Sequence, residues 1–100
     1  MTQNLNESVG IVTEGKSHAK LGKHKDAIVL FDSVLKDNPK NGTVIYSKAR
    51  SKAELGEDLE AMQLLAQAIV YYGKTIKGWA VKDSAFDRLK NDLRFKAVVK

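Results

Sequence analysis

Residues 19–31 read "AKLGKHKDAIVLF", and residues 53–65 read "AELGEDLEAMQLL". At a shift of 34 positions Ser17 matches Ser51, Ala19 Ala53, Leu21 Leu55, Gly22 Gly56, Ala27 Ala61 and Leu30 Leu64. Four further pairs keep their apolar character: Ile28 with Met62, Phe31 with Leu65, Val34 with Ala68 and Leu35 with Ile69. A fixed period of this length marks stacked units that bury their apolar faces against one another.

Each unit reads as two helices. Val9, Ile11, Val12, Ala19 and Leu21 lead to Gly22, placed where a helix C-terminus favours a left-handed residue. Ala27, Ile28, Leu30, Phe31, Val34 and Leu35 then recur in steps of three and four, which is one helical face. Asn38-Pro39 ends that helix, because the residue before proline avoids the α region. The second unit repeats the plan with Val44, Ile45, Ala49, Ala53, Leu55 and Gly56, followed by Leu59 to Tyr72 and a closing Gly73. No segment alternates with a period of two, so the fold class expected is all-α.

On these residues the chain resembles the tetratricopeptide repeat family, whose unit is a 34-residue helix hairpin. With units at 8–41 and 42–75, the family's small positions fall on Gly15 and Ala49 and on Ala27 and Ala61. Its large position falls on Phe31 and Leu65, a further packing position on Val34 and Ala68, and its proline on Pro39. Small residues let paired helices approach closely, and the large one fills the space between hairpins. The chain departs from the family pattern at Ile11 and Ile45, Glu14 and Lys48, and His18 and Lys52, and Gly73 stands where proline is common. The resemblance implies a right-handed superhelical stack of two hairpins.

Two hairpins leave an apolar flank that needs a cap. "WAVKDSAFDRLKNDLRFKAVV" (79–99) provides one, with Trp79, Phe86, Leu89 and Leu93 at helical steps, then Phe95, Val98 and Val99. It resembles the endings of many bacterial and archaeal tetratricopeptide proteins, with Ser84 and Leu93 in place of two prolines. Asp83 or Ser84 can cap a helix near 84–90, and Asp92 another near 93–99. Trp79 and Phe86 are expected in the core. The domain plan is therefore an N-terminal arm (1–7), unit one (8–41), unit two (42–75) and capping helices (76–100), forming one small domain.

The absence of cysteine removes disulfide and thiolate chemistry. The first ten residues, "MTQNLNESVG", lack the basic and apolar regions of a secretory signal, and no apolar run approaches the ~18 residues of a membrane span. The expected location is cytoplasmic. His18 and His24 are six apart, unlike a metal pair on one helical face, so no metal or cofactor is expected. By the repeat register His18 takes a buried position, and His24 lies beside the inter-helix turn. Gly15-Lys16-Ser17 lacks the earlier glycine and the strand of a phosphate loop. Glu57, Asp58 and Glu60 follow Gly56 as a helix-start cluster suited to the macrodipole. No catalytic residue is indicated, and the protein is expected not to be an enzyme.

In the family the first helix of each unit lines a concave surface. The resemblance carries that surface to Val9, Val12, Thr13, Lys16, Ala19 and Lys20, then to Thr43, Tyr46, Ser47, Arg50, Ala53 and Glu54, with Lys77 opening a third helix. Steps of three and four place each set on one helical face. Lys16, Lys20, Arg50 and Lys77 would then surround an apolar and hydroxyl floor. The expected function is a protein-interaction scaffold that binds an acidic peptide or helix, with Tyr46 and Arg50 as anchor types. The family's chaperone-tail clamp maps to Val12, Lys16, Ser47, Lys77 and Val81, of which only Lys77 fits, so that clamp is not expected. One alternative is self-association through the open flanks of the array. Another is nucleic-acid binding by residues 74–100, which hold eight Lys/Arg against three Asp and supply the whole +5 net charge. The Asp and apolar residues interspersed there, with no aromatic pair free for base stacking, argue against the second.

Overall fold

The computed structural model describes residues 5–100, with side chains from Glu7 onward. Helices α1 (Leu5–Lys20), α2 (His24–Asp37), α3 (Gly42–Glu54) and α4 (Asp58–Lys82) are followed by a short 3-10 helix (Ser84–Leu89) and α5 (Leu93–Val99). The described residues contain no strand. The all-α stack of hairpins expected from the repeat is the observed architecture. α1 begins at Leu5, within the stretch expected as an arm, and residues 1–4 of that arm lie outside the described residues.

The two inter-helix turns are the same object built twice. Gly22 and Gly56 both have φ of 79°, a left-handed conformation that glycine adopts without a Cβ penalty. Lys23 N–H donates to His18 O at 2.9 Å and Gly22 N–H to Ala19 O at 3.0 Å. Glu57 N–H to Lys52 O and Gly56 N–H to Ala53 O, both 3.0 Å, repeat the pattern. These paired bonds satisfy carbonyls that the helix end would otherwise leave open.

The connections between hairpins differ. After α2, residues 38–41 form a linker in which the Asn41 side chain accepts from Val44 N–H and starts α3. After the corresponding helix of the second hairpin, α4 breaks only at Tyr72 (φ −132°, ψ 17°) and Gly73 (φ 24°, ψ −104°). Gly73 ends the helix where the sequence places its stop, but the next helix, 74–82, follows at once. The four-residue linker is thus replaced by a two-residue kink.

Close packing explains the small residues. A Cβ at Gly15 would lie 2.6 Å from Phe31 Cε1, so α1 rests directly on the Phe31 ring. In the second hairpin the equivalent residues are Ala49 and Leu65, a larger residue with a smaller partner, both fully buried. Gly42 is similarly tight, since a Cβ there would lie 2.5 Å from Tyr72 Cδ2. One core cluster gathers Ala27, Phe31, Val34 and Val44. The larger one joins Ile45, Tyr46, Ala49 and Leu65 to Ile76, Ala80, Phe86, Leu89 and Phe95, so the cap belongs to the main core.

The cap is held by the helix-start chemistry expected of it. Asp83 accepts from Ala85 N–H and Asp92 from Arg94 N–H. Its cations finish other helices: Arg88 donates to Ala53 O at the end of α3, and Lys90 Nζ to Ala80 O (3.1 Å) and Val81 O (2.7 Å) at the end of α4. Arg88 also forks onto Asp58 at 2.9 and 3.2 Å. Two apolar expectations are corrected: Leu93 is 80% exposed and Leu21 72% exposed. Leu93 occupies the first turn of α5, whose buried face is presented by Phe95, and Leu21 lies in the turn outside both packing faces.

Candidate functional site

A concave groove of about 1350 Å³ runs along α1, α3 and the 74–82 segment of α4. α1 contributes Lys16, Ala19 and Lys20 from its C-terminal half, and α3 contributes Thr43, Tyr46, Ser47, Arg50, Ser51 and Glu54. The third wall is Lys74, Thr75, Gly78, Trp79 and Lys82, ending on Asp83. The first helix of each unit therefore forms the concave surface, as the repeat pattern implies.

Eight residues expected on this surface come together there: Lys16, Ala19, Lys20, Thr43, Tyr46, Ser47, Arg50 and Glu54. Val9, Val12, Thr13, Ala53 and Lys77 do not line the cavity, Ala53 being fully buried in the main core. Val9 is exposed, Val12 packs against the smaller core cluster, and the Thr13 hydroxyl turns back to Val9 O at 2.8 Å. α3 has a groove-lining helix on each side, whereas α1 has one only, so less of α1 faces the cavity.

Lys77 is displaced for a different reason. Carrying the 34-residue register forward assumes a third linker as long as the first. The kink at Tyr72–Gly73 is two residues shorter, which at about 100° per residue rotates the third helix by roughly 200° relative to that register. Thr75, Gly78, Trp79 and Lys82 consequently face the groove. Lys77 lies on the other side, where its ammonium donates to Lys100 O at 2.7 Å.

Trp79 is the main residue that sequence reasoning misplaced. Phe86 is fully buried as expected, but Trp79 is 43% exposed and lines the groove. Its ring meets Tyr46 edge-on, with centroids 5.4 Å apart at 61°. The sequence groups it with the apolar cap residues Phe86, Leu89 and Leu93, whereas it belongs to the helix that starts after Gly73.

Asp83 was expected only as a helix cap, and it proves to be the polar centre of the groove wall. Its Oδ2 accepts from the Tyr46 hydroxyl at 2.6 Å and from Arg50 Nε. Its Oδ1 accepts from Arg50 Nη2 at 3.1 Å and Ala85 N–H at 3.0 Å. Burial pushes the Asp83 carboxyl up, but hydrogen bonds from Arg50, Tyr46 and the Ala85 N–H outweigh it and hold it below the usual carboxylate range. Burial, then the Asp83 hydrogen bond and charge, push the Tyr46 hydroxyl well above its ordinary value. The Asp83 hydrogen bond likewise raises Arg50, against the opposing effect of burial. Arg50 is therefore already paired inside the molecule.

The remaining charge in the groove is cationic. Five cationic side chains border it against the carboxylates of Glu54 and Asp83, a surplus of three. Among the described residues Lys16, Lys20, Lys74 and Lys82 form no ion pair. On the floor, His24 Nδ1 lies 3.1 Å from the Oγ of buried Ser51. His18 is half-buried outside the groove, with Nε2 3.8 Å from Glu14. Among the described residues no cluster of three or more His, Asp or Glu is placed to hold a metal, and no helix is long and apolar enough to cross a membrane.

No curated protein and no solved structure matches the chain. The model of the tetratricopeptide repeat family matches residues 18–91, from the end of α1 through α2 and the second hairpin and into the cap. Repeats of this kind generally mediate protein–protein interaction and are typically non-catalytic scaffolds. With the period, the paired glycine turns and the lining helices in place, that match covers well over half of the sequence: the chain belongs to the tetratricopeptide repeat family.

Proposed function

We propose that the groove binds an extended acidic segment of another protein. The observation that carries this reading is the set of lysines left without a carboxylate, Lys16 and Lys20 on one wall and Lys74 and Lys82 on the other. Arg50, an obvious anchor from sequence, is occupied by Asp83, so the lysines supply the charge. Each exposed pair adds only ~0.2–1 kcal/mol, and useful affinity therefore needs several contacts at once.

The basic C-terminal segment does not present its charge as one open surface. Lys77, Arg88, Lys90 and Arg94 each donate to an acceptor of the same chain, while Lys74 and Lys82 face the groove. This distribution favours a groove ligand over nucleic acid bound along the tail.

The test is fluorescence anisotropy with a labelled oligoglutamate peptide. Binding to the wild type is expected to weaken as salt rises. The double charge reversal Lys16→Glu/Lys82→Glu, one change on each wall, is expected to reduce affinity by about tenfold or more. Binding that is unchanged by the reversal would remove the groove from consideration.

A further inference from the structure

Trp79 has a feature that charge alone does not explain. A half-exposed indole stands in a cavity rimmed by lysines, where it can offer contact area that their charges do not. It is firmly supported from below. Tyr46 meets its edge, Phe86 lies tilted against Tyr46 at 5.9 Å, and Phe95 tilted against Phe86 at 5.8 Å. The Tyr46 hydroxyl is tied to Asp83, so this aromatic column is fixed at both its polar and its apolar end. Neighbouring Gly78, also on the groove, puts no side chain there, and apart from its chain neighbours and its own helix backbone nothing lies within 4 Å of where its Cβ would stand. Lys82 and Lys74 flank this opening on the same helix, with Lys16 and Lys20 across the groove.

We infer that Trp79 is a specificity shelf: the acidic segment that occupies the groove carries an aromatic side chain, which lies on the open side of the Trp79 indole above Gly78 while its flanking carboxylates meet the lysines. This rests on the groove reading above and adds the residue type that the groove selects. Charge attracts any acidic chain, whereas a rigid, pre-placed indole distinguishes among them, because an aromatic pair is favourable beyond its buried area and needs no reordering of the protein. The lysines thus govern encounter and salt dependence, and Trp79 governs selection.

Trp79 is the only tryptophan in the chain, so intrinsic fluorescence reports on this one position. The probes are an oligoglutamate peptide with a central phenylalanine, the same peptide with a central serine, and an oligothymidylate. The phenylalanine peptide is expected to bind the wild type about tenfold tighter than the serine peptide and to change Trp79 emission. Trp79→Ala, followed by anisotropy, is expected to erase that preference, so that the variant binds the phenylalanine and serine peptides equally. Gly78→Leu, which fills the open space without entering the core, is expected to do the same and to retain the tryptophan signal. Circular dichroism establishes that both variants are folded.

Equal binding of the two peptides, or a preference that survives Trp79→Ala, would overturn the shelf and leave the acidic groove standing. Absence of binding by either peptide, or tighter binding of oligothymidylate than of both, would overturn the groove reading and the shelf together.

Discussion

Arg50 and Asp83 lie 33 residues apart in the chain and meet in a two-pronged ion pair, with Nε on Oδ2 and Nη2 on Oδ1. The same carboxylate takes the Tyr46 hydroxyl and caps the 3-10 helix, so four donors converge on a side chain that is only 13% exposed. Asp83 thereby latches the cap to α3 and closes one end of the groove. It also removes Arg50 from the cations available to a partner.

Asp83→Ala removes a helix cap and strands the Tyr46 hydroxyl and the Arg50 guanidinium, and it is expected to cost about 2–3 kcal/mol in urea denaturation. Arg50→Ala is expected to cost less, about 1–2 kcal/mol, because Asp83 keeps Tyr46 and the Ala85 N–H. A double-mutant cycle should show coupling between the two. Strict additivity would mean that the pair does not form in solution.

The dependence of stability on pH follows from the same carboxylate and from Asp92, which the Arg94 hydrogen bond carries down to about 2. An unfolded aspartate titrates near ~3.9, so in the window between folded and unfolded values the unfolded chain binds more protons. Stability from Asp83 and Asp92 is therefore complete above ~4 and is lost as the pH falls through their folded values. Tyr46 behaves oppositely: its folded value is raised, so its contribution is complete below ~10 and is lost as the pH rises beyond that. Urea midpoints against pH are expected to fall in both limbs. The acid limb should be shallower in Asp83→Asn and the alkaline limb shallower in Tyr46→Phe, and profiles matching the wild type would count against these shifts.

Gly15 and Phe31 form a size-matched pair, so Gly15→Ala drives a methyl into the ring and is expected to destabilise by about 1–3 kcal/mol. Adding Phe31→Leu reproduces the Ala49 and Leu65 pairing of the second hairpin and should recover part of that loss. A double variant no more stable than Gly15→Ala alone would refute the size-matching account.

Gly73 turns the chain with a positive φ, and Gly73→Ala is expected to cost about 1–2 kcal/mol in thermal or urea unfolding. Inserting two residues after Gly73 restores the longer linker and turns the following helix through roughly 200°. That turn would swing buried Ile76 and Ala80 outward and break the Arg50–Asp83 pair. Loss of cooperative unfolding is the expected result, whereas a stable protein with unchanged Trp79 emission would show that kink length does not set the register.

Most of the fold was legible because its signals are local or repeated. Gly22, Gly56 and Gly73 mark helix ends through backbone conformation, Asn38-Pro39 ends α2, and Asp83 and Asp92 start helices within a few residues of themselves. The groove was legible only in part. Lys16, Lys20, Thr43, Tyr46, Ser47 and Arg50 follow from the face of a helix whose register the repeat supplies. Lys77 was misplaced because a third register was extrapolated across a connection of different length, and Trp79 because it was grouped with the apolar residues of the cap.

By itself the sequence determined the all-α hairpin architecture, the turns that stop its helices and many of the residues that pack within each hairpin, since periodicity, capping and glycine turns act over a few residues. Tertiary structure decided which face of the third helix meets the groove, that Arg50 is already neutralised and that Trp79 stands open. Those outcomes depend on the rotation of one helix about its axis and on a contact made across 33 residues, and neither is encoded in any short stretch of the chain.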